Sequence, residues 1–120
     1  MDYKILFVDD EPNYRVNHIK GDHLIFSAHG YNQIDYYLNH TKYKWDLICL
    51  DNDMPKLPGI DVSTMFLCER NIPVVIHSMN PIGAKIIKGN LDDYAVPNLI
   101  LPIGTPDWWE KVLNWLNSIS

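Results

Sequence analysis

Cysteine is scarce in this 120-residue chain: Cys49 and Cys68 each sit in an apolar setting, Ile48-Cys49-Leu50 and Phe66-Leu67-Cys68, without metal-ligand spacing. That argues against a disulfide framework or a thiolate metal site and points to buried, reduced thiols in a cytoplasmic protein. Met1-Asp2-Tyr3-Lys4 carries no signal-peptide pattern. With 6 Gly and 8 Pro the chain has no collagen-like or low-complexity tract. No apolar run approaches the roughly 20 residues of a membrane-crossing helix. Basic charge is also short, at 10 Lys and Arg against 15 Asp and Glu, for a net charge of -5 and a pI near 5.3. This balance disfavours nucleic-acid backbone as the main ligand, duplex DNA included. It leaves room for a small phosphate-bearing ligand bridged by a metal ion.

What the chain does contain is enough apolar material for a core, 47% hydrophobic residues against 21% charged, in a length that suits one domain over residues 1–120. Short runs rich in Val, Ile and Leu alternate with longer segments carrying helix punctuation, the signature of βα units around a parallel sheet. Five units can be counted. The expected strands are Ile5–Val8, Leu24–Ala28, Leu47–Leu50, Pro73–Ile76 and Asn98–Leu101. The expected helices run from Pro12 to about Lys20, Tyr31 to Asn39, Ile60 to Arg70, Ile82 to Lys88 with a stop at Gly89-Asn90, and Trp108 to Ile119. One tryptophan of the Trp108-Trp109 pair is expected outside the core.

Five such units in this length form an open α/β doubly wound sheet rather than a barrel, and ligands then bind outside the carboxyl ends of the strands. Those ends carry Asp9-Asp10-Glu11, Asp51 to Asp53, His77-Ser78 to Asn80, and Leu101-Pro102. Three carboxylates gathered there repel one another unless a cation sits among them, and hard oxygen ligands suit Mg²⁺ or Mn²⁺. The alternative is that Asp9 and Asp10 only cap the following helix. His77 offers a group that changes charge near neutral pH, Ser78 a hydroxyl, and Asn80 both a donor and an acceptor. Set against this, His77 reads equally as a histidine satisfied by the backbone, or as a cap for the helix that Pro81 begins. Lys56, Lys85 and Lys88 are further cations, each read first as a solvated surface lysine.

Taken together, the acidic pair Asp9-Asp10 after the first strand and Asp51 with Met54, Pro55 and Gly59, in the order D-x-x-M-P-x-x-x-G, resemble the receiver domains of bacterial response regulators, the CheY-like superfamily. The resemblance spans essentially the whole chain. It implies a flavodoxin-like five-stranded parallel sheet in the order 2-1-3-4-5 with five helices. It also implies Asp51 as phospho-acceptor, the main-chain carbonyl of Asp53 joining Asp10 and Asp51 around Mg²⁺, and Ser78 as a phosphoryl contact. The chain departs from the family at Leu101, where receivers carry a lysine, at Asn98, where they carry an aromatic, and at Met79, where they carry a small residue. The pattern His77-Ser78-Met79-Asn80-Pro81 without that lysine is similar to cyclic-phosphate-processing receivers. That likeness implies recognition or hydrolysis of a nucleotide cyclic phosphate such as an RNA end, by a metal-dependent phosphodiesterase or phosphatase. Asp9, Asp10, Asp51 and Asp53 would then hold metal, Ser78 and Asn80 would contact phosphate, and Asp51 and His77 would move a proton. Two other readings stay open: a signalling receiver phosphorylated on Asp51, and a pseudo-receiver that works only through a protein partner.

Overall fold

The computed structural model describes residues 2–11 and 15–120. Strands β1 (Lys4–Val8), β2 (Leu24–Ala28), β3 (Leu47–Leu50), β4 (Val74–Ile76) and β5 (Asn98–Ile100) form one parallel sheet in the order β2-β1-β3-β4-β5. Every residue of β3 and β4 is buried, whereas the edge strands β2 and β5 are largely half-buried. Uninterrupted apolar runs are what strands covered on both faces require. One face packs Leu6, Val8, Ile48, Leu50 and Ile76 beneath helices α1 (Tyr31–Asn39), α2 (Gly59–Val62) and α3 (Pro81–Asp93). The other packs Ile5, Phe7, Leu47, Cys49 and Val75 against α4 (Trp108–Ile119). The doubly wound architecture and its strand order are therefore as expected.

Four helices, not five, are found among the described residues. Of the helix expected from Pro12 to Lys20, residues 12–14 lie outside the described residues. Arg15 is helical, a single 3₁₀ turn, Val16–His18, follows, and Ile19 is already extended as it enters the core on the α4 face. Nor is the segment expected as a regular helix over Ile60–Arg70 uniform. After Val62 it widens over Ser63–Leu67, with the Cys68 N–H reaching back five residues to the Ser63 carbonyl at 3.1 Å. Buried Ser63 donates to the Ile60 carbonyl at 2.6 Å and accepts from Asn90 at 3.1 Å. Such local side-chain bonds compete with the helical ladder.

In contrast to the stop expected at Gly89-Asn90, α3 continues to Asp93. Ile87 and Leu91 carry its buried stripe across those residues, and that packing outweighs the roughly 1 kcal/mol helix cost of a glycine. The tryptophan pair also differs from expectation, because both Trp108 and Trp109 are buried. Trp108 caps the end of β5 by donating to the Leu101 carbonyl at 2.8 Å. Cys49 and Cys68 are free and buried, as read from their settings. Among the described residues no helix is long and apolar enough to cross a membrane.

Candidate functional site

Parallel pairing aligns Phe7 with Cys49, Cys49 with Val75, and Val75 with Leu99. Side chains repeat every second residue along a strand, so Asp9, Asp51, His77 and Leu101 form the next row on the same face, one step past the strand ends. Backbone bonds hold that row in place. The N–H groups of Asp9, Asp51, His77 and Leu101 donate to the carbonyls of Ala28, Val8, Leu50 and Ile76 at 2.9 to 3.0 Å. The apolar row behind them supplies the floor, with the His77 ring stacked on Phe7 at 4.7 Å between centroids.

This row assembles the acids that sequence places on separate loops. One carboxylate oxygen from each of Asp9, Asp10 and Asp51 lies within 4.8 Å of the others. Asp9 and Asp51 are buried while Asp10 is half-exposed. Asp9 has both oxygens engaged: the Glu11 N–H donates to Oδ1 at 2.9 Å, and His77 Nε2 lies 2.8 Å from Oδ2. Arg15 Nη1 donates to both oxygens, at 2.8 and 3.0 Å, and stands 3.4 Å from Asp51 Oδ2. Arg15 is the residue that sequence reasoning missed. Its signal was available, since it is the sole Lys or Arg between Lys4 and Lys20.

The two buried acids are pushed in opposite directions. Burial raises the Asp9 carboxyl, but hydrogen bonds from His77, the Glu11 backbone and Arg15 overcome that and hold it at about 2. Burial pushes Asp51 above the ordinary carboxylate value, and the Asp9 charge adds to it, against the opposing pull of His77, the Asp53 N–H and Arg15. Asp51 is thus the undercompensated carboxylate of the pair, and carboxylates pushed apart in this way take different roles.

Gly59 explains the long spacing of the motif that follows Asp51. A Cβ on Gly59 would lie 2.3 Å from the Asp51 carbonyl oxygen and 2.9 Å from Asn52 Cα, so the chain returns onto the backbone of the acid at this point. The Gly59 N–H donates to the Asn52 carbonyl at 3.1 Å, and Met54 is buried beneath the turn. Gly83 is a second close approach, where a Cβ would meet the Asn52 amide nitrogen at 2.2 Å.

The remaining expected site residues divide. Ser78 is buried and accepts from the Asn80 N–H at 3.1 Å. Asn80 caps α3 by accepting from the Gly83 N–H at 3.1 Å, and its amide donates to Asp53 Oδ1 at 3.3 Å. These bonds join the β3 and β4 loops to each other and to α3, and only the Asp53 backbone N–H reaches the Asp51 carboxylate. Lys88 faces the opposite end of the sheet, bonded to Asn98 at 3.2 Å and paired with Asp92 at 3.4 Å. Beside Asp10 a cleft of about 640 Å³ opens between the β2 and β3 loops, lined by His29, Tyr31, Gln33, Lys56 and Leu57 among others.

No family model matches the chain. A protein-glutamate methylesterase/protein-glutamine glutaminase 1 of Saccharophagus degradans is 35% identical over 104 residues, which cover 80% of this chain and 28% of that protein. The chain thus spans little more than a quarter of that relative. A phosphorylated cyanobacterial phytochrome response regulator superposes with a TM-score of 0.68 at 20% identity, covering 99% of this chain and 91% of that one. The response regulator TrrA of Thermotoga maritima, in complex with Mg²⁺ and BeF, gives 0.64 at 19% identity over 95% and 98%. The chain has the receiver fold. A sensor histidine kinase receiver domain from Pseudomonas aeruginosa, with magnesium coordinated in its active site cleft, shares that fold at a TM-score of 0.65, 13% identity, and 98% and 99% coverage. In this receiver fold the three carboxylates lie at the carboxyl edge of the sheet, where such sheets bind ligands.

Proposed function

We propose that this chain is a phosphate-responsive receiver module of the cytoplasm. It binds Mg²⁺ through Asp10 and Asp51, with Asp9 and the Asp53 carbonyl completing the set, and takes up a phosphoryl group on Asp51. The observation that carries the reading is the meeting of Asp9, Asp10 and Asp51 within 4.8 Å at the carboxyl edge of a receiver fold. The donor set fits the ion: three hard carboxylates suit Mg²⁺ or Mn²⁺, and buried Asp51 is left short of positive charge. When bound, the ion would neutralise the acids and polarise phosphoryl oxygens.

Under this reading Asp51 Oδ attacks the phosphorus of a donor such as acetyl phosphate, the donor P–O bond breaks, and acetate leaves. Ser78 stands at the neighbouring strand end as an oxygen contact. A protein partner would then read the phosphorylated state. The Mg²⁺–BeF complex of the Thermotoga relative and the magnesium of the Pseudomonas receiver domain support the choice of ion and group. Incubation with acetyl phosphate and Mg²⁺ should add one phosphoryl mass to the intact protein. No addition, or equal addition to Asp51→Asn, would overturn the assignment.

The cleft beside Asp10 favours a second reading, in which the phosphate belongs to a larger ligand such as a nucleotide cyclic phosphate or RNA end and the cleft receives the remainder. His77 is 1% exposed and bonded to Asp9, which supports binding of that ligand over hydrolysis with His77 as acid. Phosphorus NMR of a 2′,3′-cyclic nucleotide with protein and Mg²⁺ or Mn²⁺ separates these outcomes. A shifted resonance means binding, a new monoester signal means phosphodiesterase activity, and an unchanged spectrum removes the second reading.

A further inference from the structure

We propose that Arg15 is a cation belonging to the chain itself that holds the acidic pocket in the absence of metal, and that a divalent ion must expel it in order to bind. The inference rests on the metal site proposed above and adds a competitor to it. Three observations carry it. Arg15 Nη1 engages both oxygens of Asp9 at 2.8 and 3.0 Å and stands 3.4 Å from Asp51 Oδ2, so one nitrogen lies between two of the three acids. Asp9 and Asp51 are buried, whereas the Arg15 side chain is 26% exposed, which leaves the guanidinium a way out and the acids none. Finally, each Asp9 oxygen has a second donor, the Glu11 N–H on Oδ1 and His77 Nε2 on Oδ2, so the buried carboxylate keeps hydrogen bonds when the guanidinium leaves.

A guanidinium and a hydrated divalent ion cannot share that space, and they repel at any distance within it. Removing one unit of positive charge about 5 Å from a divalent ion is worth of the order of tenfold in affinity even at the dielectric of water. Arg15 thus sets the metal concentration at which the pocket opens to phosphate.

Mg²⁺ titration by calorimetry of the wild type, Arg15→Gln, Arg15→Lys and Asp51→Asn tests this. Alongside, NMR of the arginine Nε–H signals follows the wild type. The chain has only two arginines, Arg15 and Arg70. Arg70 is bound elsewhere, to the Phe66 and Leu38 carbonyls at 2.7 and 3.0 Å, and serves as the internal control. The expected result is about tenfold tighter binding by Arg15→Gln, near wild-type affinity for Arg15→Lys, and an Arg15 signal that moves with occupancy while Arg70 stays. Equal or weaker binding by Arg15→Gln, or an Arg15 signal unmoved at saturation, overturns the competition while leaving the metal site intact. Binding to neither wild type nor Arg15→Gln, or binding that survives Asp51→Asn, overturns the metal site and the competition with it. Should Arg15→Gln fail to fold, the wild-type signal decides alone.

Discussion

Replacing Asp9 by asparagine is the perturbation whose pH dependence follows most directly from the geometry. The carboxyl is held at about 2 against an ordinary 3.8. A depressed carboxylate contributes stability that is complete above its unfolded value and is lost as pH falls through its folded one. The contribution here is about 2 kcal/mol at neutral pH. It should fall by about 1 kcal/mol by pH 3 and vanish only toward about pH 1, below both values. Asp51 acts with the opposite sign, since its raised carboxyl favours the folded state as pH falls, and the Asp9 charge contributes to that raise. The clean comparison therefore uses Asp51→Asn as background, with and without Asp9→Asn, in chelator. Urea unfolding followed by tryptophan fluorescence suits the assay because Trp45, Trp108 and Trp109 are buried. The stability gap between the two proteins should be widest near pH 7 and narrow steadily on acidification. A gap that stays constant from pH 7 to 3, or widens, would refute the account of Asp9 as a carboxylate stabilised by Arg15, His77 and the Glu11 amide.

Three further outcomes follow from packing and chemistry. Gly59→Ala should lower stability by about 2 kcal/mol despite alanine's better helix propensity, because the added Cβ meets fixed backbone at 2.3 Å; a thermal melt equal to wild type would contradict this. Burial pushes both thiols up and covers them, so Cys49 and Cys68 should be almost silent to a thiol reagent in the native protein. Both should react in urea, and rapid native labelling of Cys49 would count against the core on the α4 face as described. Leu101→Lys places an amine in the row of Asp51 and His77, and should speed phosphoryl uptake from acetyl phosphate. An unchanged rate with metal bound would count against phosphoryl uptake on Asp51.

The strand ends were legible because strands buried on both faces are written as continuous apolar runs, and the first, third and fourth runs stop at Asp9, Asp51 and His77. Asp9, Asp51 and His77 could therefore be named before the fold was known. Their alignment in one row could not, because it depends on the pairing of Phe7, Cys49 and Val75 across strands far apart in sequence. Helix limits were less legible. Gly89-Asn90 reads as a stop locally, yet the burial of Ile87 and Leu91 carries α3 past it. Ser63 looks like an ordinary helical residue until Ile60 and Asn90 claim its hydroxyl. Arg15 was not legible as the site's cation, because Lys56, Lys85 and Lys88 lie nearer in sequence to Asp51 and the fourth strand end. The cation that meets the acids is instead a guanidinium six residues after Asp9 in sequence.

The central claim, that Asp9, Asp10 and Asp51 form a divalent-ion site in this receiver fold, is tested most directly by amide NMR during Mg²⁺ titration. The account predicts saturable shifts confined to residues 9–11, 15, 51–53 and 77–78, absent from Asp51→Asn. Saturable shifts elsewhere, or none at millimolar Mg²⁺, would contradict it.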